Sequence, residues 1–343
     1  MTESPTDETR AEGADATEVF NARVLVTGAT GFVGRYVVRE LVSGGYTAAC
    51  LVRDAPRLRH QTDGLAEDRV AAIGGDLFDG AALATAAKEA QAAIHLVGII
   101  QERRLRGQTF ERIHVEGTQR VVEACRAAGV GRLVYVSALG TRLYAASEYH
   151  RTKWAAECAV RDSGLNWTIL RPSIIHGYDG EFMRMMKTFV CDATVKALGF
   201  LPAPFPVIPY FGTGQHLVQP VSVRDVAECA VAALGKPETI GQVYDLGGPE
   251  AMSWKELYRL CRDTIPGAKR WKPMVGQPVR LAELMARTVM RLPILPGPLR
   301  FNVGQVQMSQ EDSVCDTRPI EEAFGLRLRS FREELREYAA RID

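Results

Sequence analysis

Residues 27–34 read TGATGFVG and follow directly on the apolar run Val24-Leu25-Val26. Three glycines at a spacing of three, set between a strand-like run and a helix-like stretch from Phe32 to Val42, mark a tight strand-to-helix turn. In such a turn Gly28 permits the reversal, Gly31 lets another group come close to the backbone, and Gly34 lets the helix pack against the strand. The amide N–H groups and the positive dipole end at the start of the helix suit an anion. After a first strand, the pattern points to the pyrophosphate of a dinucleotide.

Outward from this turn, the runs Thr47–Val52, Val70–Ile73, Ala92–Val97, Leu133–Val136 and Trp167–Leu170 share the character of the first, being short, apolar on both faces and punctuated by glycine. Strands of a parallel sheet covered on both sides read this way. Helical patterns lie between them, clearest at 108–128, where Phe110, Ile113, Val121, Val122 and Ala124 recur at near-helical spacing until Gly129. A βαβ succession therefore runs from about residue 22 to 171. It predicts a sheet in the order 3-2-1-4-5-6, with the glycine turn at the carboxyl edge of its first strand.

After Arg171-Pro172-Ser173 the alternation breaks. Residues 181–217 are rich in Met, Phe, Leu and Pro and predict a cap, which suits either a lipophilic small molecule or a small domain's own core; residues 219–248 return to the sheet. The expected organisation is an acidic tail at 1–20, a dinucleotide-binding domain at 21–172 rejoined by 219–248, and a smaller C-terminal substrate or cap domain from 173–218 and 249–343.

Composition narrows the partners. The 343 residues are 46% hydrophobic, with 42 basic against 41 acidic side chains, which gives no reason to expect nucleic acid. Residues 1–19 hold six acidic side chains against Arg10, and read as disordered rather than as a signal peptide. The seven cysteines show no C-x-x-C pairing, so neither a disulfide framework nor a metal site is suggested and a reducing, cytoplasmic setting fits. No stretch approaches the ~18 uninterrupted apolar residues of a membrane span. Residues 278–292, PVRLAELMARTVMRL, set Leu281, Leu284, Met285 and Met290 against Arg280, Arg287 and Arg291. Such a basic amphipathic helix can lie on the inner face of a membrane, or pack against the cap or a partner protein.

The Gly-x-x-Gly-x-x-Gly spacing resembles the short-chain dehydrogenase/reductase superfamily. Four further stretches resemble its extended and atypical branches: GGDLFD at 74–79, HVEGTQRVVEACRAAG at 114–129, RLVYVSALG at 132–140 and YHRTKWAAE at 149–157. Within it, YHRTKWAAECAVRDSGLNWTILRPSIIHG at 149–177, QPVSVRDVAECAVAAL at 219–234 and YDLGGPEAMSWKELYRL at 244–260 resemble the NAD(P)-binding accessory subunit of respiratory complex I and its bacterial relatives. The resemblance implies a Rossmann-type doubly wound parallel α/β sheet and a bound dinucleotide. It does not of itself imply turnover, because that subunit is regarded as structural.

Arg53 and Asp54 end the second strand about twenty residues past the glycines, where the adenosine ribose sits in a Rossmann fold. An acidic residue bonds the 2′-hydroxyl of NAD and an arginine answers the 2′-phosphate of NADP; with Arg53 first, NADP(H) is favoured over NAD(H). The resemblance assigns Asp76 to the adenine amino group. It extends the cofactor site over Thr30, Phe32 and Val33 in the glycine turn, and over Leu77, Val97, Lys153 and Pro172. Tyr149 and Lys153 are four apart, neighbours on one helical face. A lysine ammonium beside a phenol favours the phenolate, and in the superfamily the tyrosine transfers the proton while the lysine also holds the ribose. Ser137 stands in the hydroxyl-rich run that orients a substrate carbonyl, but Ala138 follows where a hydroxyl is expected. His114 stands where extended members carry asparagine, and reads as a buried, hydrogen-bonded histidine or a relay.

Three functions are open on these residues. The chain is an NADP(H)-binding accessory protein, linked to a respiratory-complex protein or quinone metabolism; an active reductase, epimerase or dehydratase acting on a lipophilic or sugar-nucleotide carbonyl; or a redox sensor. Retention of Tyr149 and Lys153 argues against the sensor.

Overall fold

The computed structural model describes residues 22–191, 207–288 and 301–342, with the backbone alone of 194–197 and 201–204. The acidic segment, Met290 and Arg291 lie outside the described residues. A seven-stranded parallel sheet contains β1 (Arg23–Thr27), β2 (Thr47–Val52), β3 (Val70–Gly74), β4 (Ala92–His95), β5 (Arg132–Val136), β6 (Asn166–Pro172) and a last strand, Gln242–Leu246. The first six stand in the expected order 3-2-1-4-5-6, and the last lies outside β6 with Val243 opposite Ile169. The run ending at Val97 leaves the sheet at His95, although the Leu96 amide still bonds Thr27 O at 3.1 Å.

Continuous apolar strands are explained by cover on both faces. Val24 and Val26 pack on one side with Val37, Val38 and Leu41 of α1 (Phe32–Ser43) and Val226 and Ala230 of α7 (Val223–Ala232). Leu25 packs on the other with Leu83 of α3 (Gly80–Ala87), Val121 of α4 (Gly117–Ala127) and Val160 of α5 (Glu148–Arg161). The helical pattern expected at 108–128 is two pieces, a π-helical turn at Glu111–Glu116 leading into α4.

The apolar residues after 181 form a core of their own. Met183, Met186 and Phe189 of α6 (Glu181–Val190) cluster with Leu257 and Tyr258 of α8 (Trp254–Thr264) and with Phe331 and Leu335 of α12 (Phe331–Tyr338). Between α8 and α12 lie α9 (Val279–Arg287), α10 (Val303–Met308) and α11 (Arg318–Phe324), whose Ile320 and Phe324 rejoin the core under α1. Ahead of α12 the chain is fastened to α7, where Arg329 ion-pairs with both Asp225 and Glu228 and its amide donates to Asp225 Oδ2 at 2.9 Å.

The first turn of α1 is seated directly on the strand-to-helix turn. A Cβ built on Gly34 would stand 2.1 Å from Gly28 O and 2.7 Å from Ala29 Cα, both rigid backbone. Gly34→Ala should therefore destabilise the fold by at least ~1–3 kcal/mol, the usual cost of forcing a methyl group into a packed site. An unchanged denaturant midpoint would show that α1 can lift off the turn without loss.

Candidate dinucleotide and active site

Gly28 has φ +82°, and a Cβ there would press to 3.3 Å on Leu96 and Val97. The Gly31 amide closes the turn on Gly28 O at 2.9 Å, and Gly31 then caps α1 with no side-chain acceptor. The first N–H groups of α1 are thus left without a capping side chain, the arrangement that suits an anion. Thr30, Phe32 and Val33 belong to this turn. Arg53 follows β2, Asp76 and Leu77 follow β3, Val97 follows β4, Ser137 follows β5 and Pro172 ends β6, so the fold brings all of them to the carboxyl edge of the sheet. The crevice outside that edge is where such sheets bind ligands.

Asp54 and Arg53 are told apart by their partners. Asp54 caps α2 (Ala55–Gln61), its carboxylate accepting from the Arg57 amide at 2.9 Å. Arg53 is exposed and has no ion pair among the described residues. With Gly75, Asp76, Phe78 and Asp79 it lines a cavity of ≈ 380 Å³. Asp76 takes the Phe78 amide on Oδ1 at 2.8 Å, which fixes the turn after β3, while Asp79 caps α3. Leu77 is 6% exposed and sits over Gly117, where a Cβ would come within 2.8 Å of it.

Tyr149 and Lys153 lie on α5 as expected, but the lysine is directed elsewhere. Lys153 is 3% exposed and donates to Val136 O at 3.0 Å and to the Tyr135 hydroxyl at 3.3 Å. Burial lowers it to about 8, opposed by the charge of Glu157 one turn further along the helix. Glu157 is itself fully buried and held by Arg171 at 2.6 Å and Arg161 at 3.0 Å. Tyr149 is half-buried, with its ring edge-on to Phe110 and His114. Burial pushes its phenol up to about 12, the reverse of the expected lowering. The phenol of Tyr149 therefore keeps its proton at neutral pH. Ser137 is buried and donates to Thr141 Oγ1 at 3.4 Å, so a second hydroxyl stands beside it although Ala138 does not supply one.

His114 is fully buried and desolvation lowers it to about 2, so it is neutral. Thr152 spends its hydroxyl hydrogen on Glu148 O or Tyr149 O, both at 3.0 Å, and so accepts from His114 Nδ1 at 2.9 Å. Nε2 then accepts from the Ile99 amide at 3.1 Å. With both nitrogens hydrogen-bonded, His114 latches the loop after β4 to α5. Three further residues at this edge carry little local sequence signal. A Cβ on Gly98 would stand 3.2 Å from Lys153 Nζ; the glycine next to Val97 was its only signal. Thr141 lies four residues past Ser137, and Phe78 lies within GGDLFD under the Arg112 guanidinium at 4.3 Å.

These residues fit a dinucleotide. Side-chain-free backbone at Gly31 and Gly98 leaves space beside the uncapped helix and Lys153, and an unpaired guanidinium faces the cavity after β3. Fold and site together define a Rossmann-type protein of the extended short-chain dehydrogenase/reductase kind. Residues 24–247 match the model of the NAD dependent epimerase/dehydratase family, and the chain belongs to that family. It is 31% identical to a subunit from Arabidopsis thaliana named NADH dehydrogenase (ubiquinone) 1 alpha subcomplex subunit 9, mitochondrial, over 86% of this chain and 71% of the subunit. It is 34% identical to a ceramide reductase from Caulobacter vibrioides over 69% of this chain and 68% of the reductase. A dTDP-glucose 4,6-dehydratase from Streptomyces venezuelae, solved with NAD bound, shares the fold at a TM-score of 0.65 and 21% identity over 92% of this chain and 95% of that one.

Burial of neutral histidines sets an acid limit. His114 falls to about 2, His95 and His176 to about 3 and His150 to about 4, each mainly by desolvation. Between these values and 6.5 the unfolded chain takes up the protons and the folded chain does not. The associated stability is complete above about pH 6.5 and is lost as pH falls. His114→Asn should lower the slope of unfolding free energy against pH between 6.5 and 4 by about one proton. An unaltered slope would place the sensitivity in the other histidines.

Proposed function

We propose that the chain binds NADP(H) along the carboxyl edge of its sheet, in the accessory manner of the respiratory subunits that it resembles, alongside respiratory or quinone metabolism. The observation that carries the cofactor choice is the contrast at the end of β2, where Asp54 is spent as a helix cap and Arg53 is unpaired beside the cavity. A guanidinium placed so answers a 2′-phosphate with a charge-assisted fork. The glycine turn with Thr30, Phe32 and Val33 would hold the pyrophosphate. Asp76 and Leu77 would meet the adenine, and Val97, Lys153 and Pro172 the nicotinamide half. Arg53→Ala should weaken NADPH by ~1.5–3 kcal/mol, the scale of a hydrogen bond to a charged group, and leave NADH nearly unchanged. Equal losses in parallel titrations would make Arg53 a fold residue.

A second reading, reduction of a lipophilic carbonyl compound, is favoured by the protonated phenol of Tyr149 on α5 and by the Ser137–Thr141 hydroxyl pair after β5. The nucleotide supplies a hydride when bound. Ser137 and Thr141 would orient the carbonyl oxygen, and Tyr149 would give it a proton. The identity to a ceramide reductase supports this reading. Tyr149→Phe keeps the ring packing and removes the proton, so a reductase rate should fall ~10²-fold or more while NADPH affinity holds. If the purified wild type turns over no such carbonyl compound, the accessory reading stands alone.

A further inference from the structure

Large apolar side chains left in solvent are informative when they gather in one place. Ile100 and Leu105, on the loop after β4, are 45% and 104% exposed; Leu143 and Tyr144, on the loop after β5, are 52% and 88% exposed. The first loop passes Gly98, beside Lys153 Nζ, and the second begins at Ser137, next to Val136, whose carbonyl accepts from Lys153. The third member is α9, which is packed inside out. Its alanines, Ala282 and Ala286, face the protein, while Leu281 and Leu284 are 50% and 58% exposed.

Contacts around α10 join the three segments. Asn302, which caps α10, donates to Ile100 O at 2.7 Å, and Gln101 donates to Gln305 at 3.4 Å. Arg142 grips both oxygens of Glu311, just past α10, at 2.8 Å, and α10 packs against α9. Six of the ten large apolar side chains exposed among the described residues thus lie on segments gathered around α10, at the edge that carries Gly98 and Ser137.

The free charges on this rim are mostly positive. Arg104 is paired with Glu102, and Arg142 with Glu311. Arg103, Arg106, Arg280 and Arg287 are exposed and have no acidic partner among the described residues. Glu148 is exposed nearby, and Glu283 is half-buried on α9. Leucine and tyrosine interleaved with unpaired arginine complement a bilayer interface, apolar groups entering between headgroups and guanidinium groups meeting phosphate. No helix of the described residues is long and apolar enough to cross a membrane.

We infer that the rim formed by the loops after β4 and β5 and by α9 docks on an anionic lipid bilayer, with the mouth of the site against the membrane. The inference deepens the proposed function by naming the source of a lipophilic compound, and it rests on that reading only for what enters the mouth. The test is cosedimentation of the full chain with phosphatidylcholine vesicles, with and without 30% phosphatidylglycerol. Binding should appear with the anionic vesicles and fall as salt is raised, because the Debye length shrinks below the ~10 Å of 0.1 M salt. Arg103, Arg106, Arg280 and Arg287 changed together to Glu should lower the partition coefficient ~10-fold or more. Leu105→Ser, at a fully exposed position, should lower it less and serves as the readout if the quadruple variant does not fold. NADPH titration without vesicles should be unchanged in both, which separates failure of docking from failure of the nucleotide reading. Absence of binding to anionic vesicles, binding insensitive to both variants, or a stable dimer that buries the rim without binding lipid would overturn the inference.

Discussion

The structure depends on the contact between the first turn of α1 and the turn that precedes it. Gly34 lies so close to Gly28 O that no side chain fits, and this sets the height of α1 above the sheet. From that seat α1 places Val37, Val38 and Leu41 against Val24 and Val26, and its uncapped amide groups open at the carboxyl edge of the sheet. One backbone approach thus determines both how β1 is covered and where an anion can be held. Parallel strands with both faces buried then follow outward on either side, each ending at the same edge.

Burial decides the chemistry of that edge more than charge pairing does. Lys153 is lowered and Tyr149 raised for the same reason, withdrawal from water, which disfavours whichever form is charged. Glu157 partly offsets this for the lysine but is itself divided between two arginines. The outcome is a weakly held ammonium and a firmly held phenol proton. In His114 the same withdrawal removes a titrating group altogether and makes it a mechanical fastening between the loop after β4 and α5.

Most of the sheet was legible in the sequence because buried parallel strands leave continuous apolar runs, and the run at 47–52 coincides with β2. The glycine turn at 27–34 was equally legible, since strand, turn and helix each leave a local mark. The direction of the Lys153 ammonium was not, because Val136 O and the Tyr135 hydroxyl belong to a neighbouring strand and carry no spacing signal. The roles of Arg53 and Asp54 were separable only through the Arg57 amide, a cap that adjacent residues could equally have supplied. The Met- and Phe-rich stretch after 181 suits a core or a greasy ligand on composition alone; the partners Phe331 and Leu335, more than a hundred residues on, assign Met183 and Met186 to a core.

The seventh strand has a consequence for synthesis. β6 ends at Pro172, yet its neighbour Gln242–Leu246 is made only after α6 and α7. During translation at roughly 5–20 residues per second, the outer edge of β6 would stand without its partner for about 4–15 s. Its unpaired amide and carbonyl groups could in that interval accept a strand from another chain. The order of the sheet is therefore also a timetable, in which the last strand to emerge closes the edge that has waited longest.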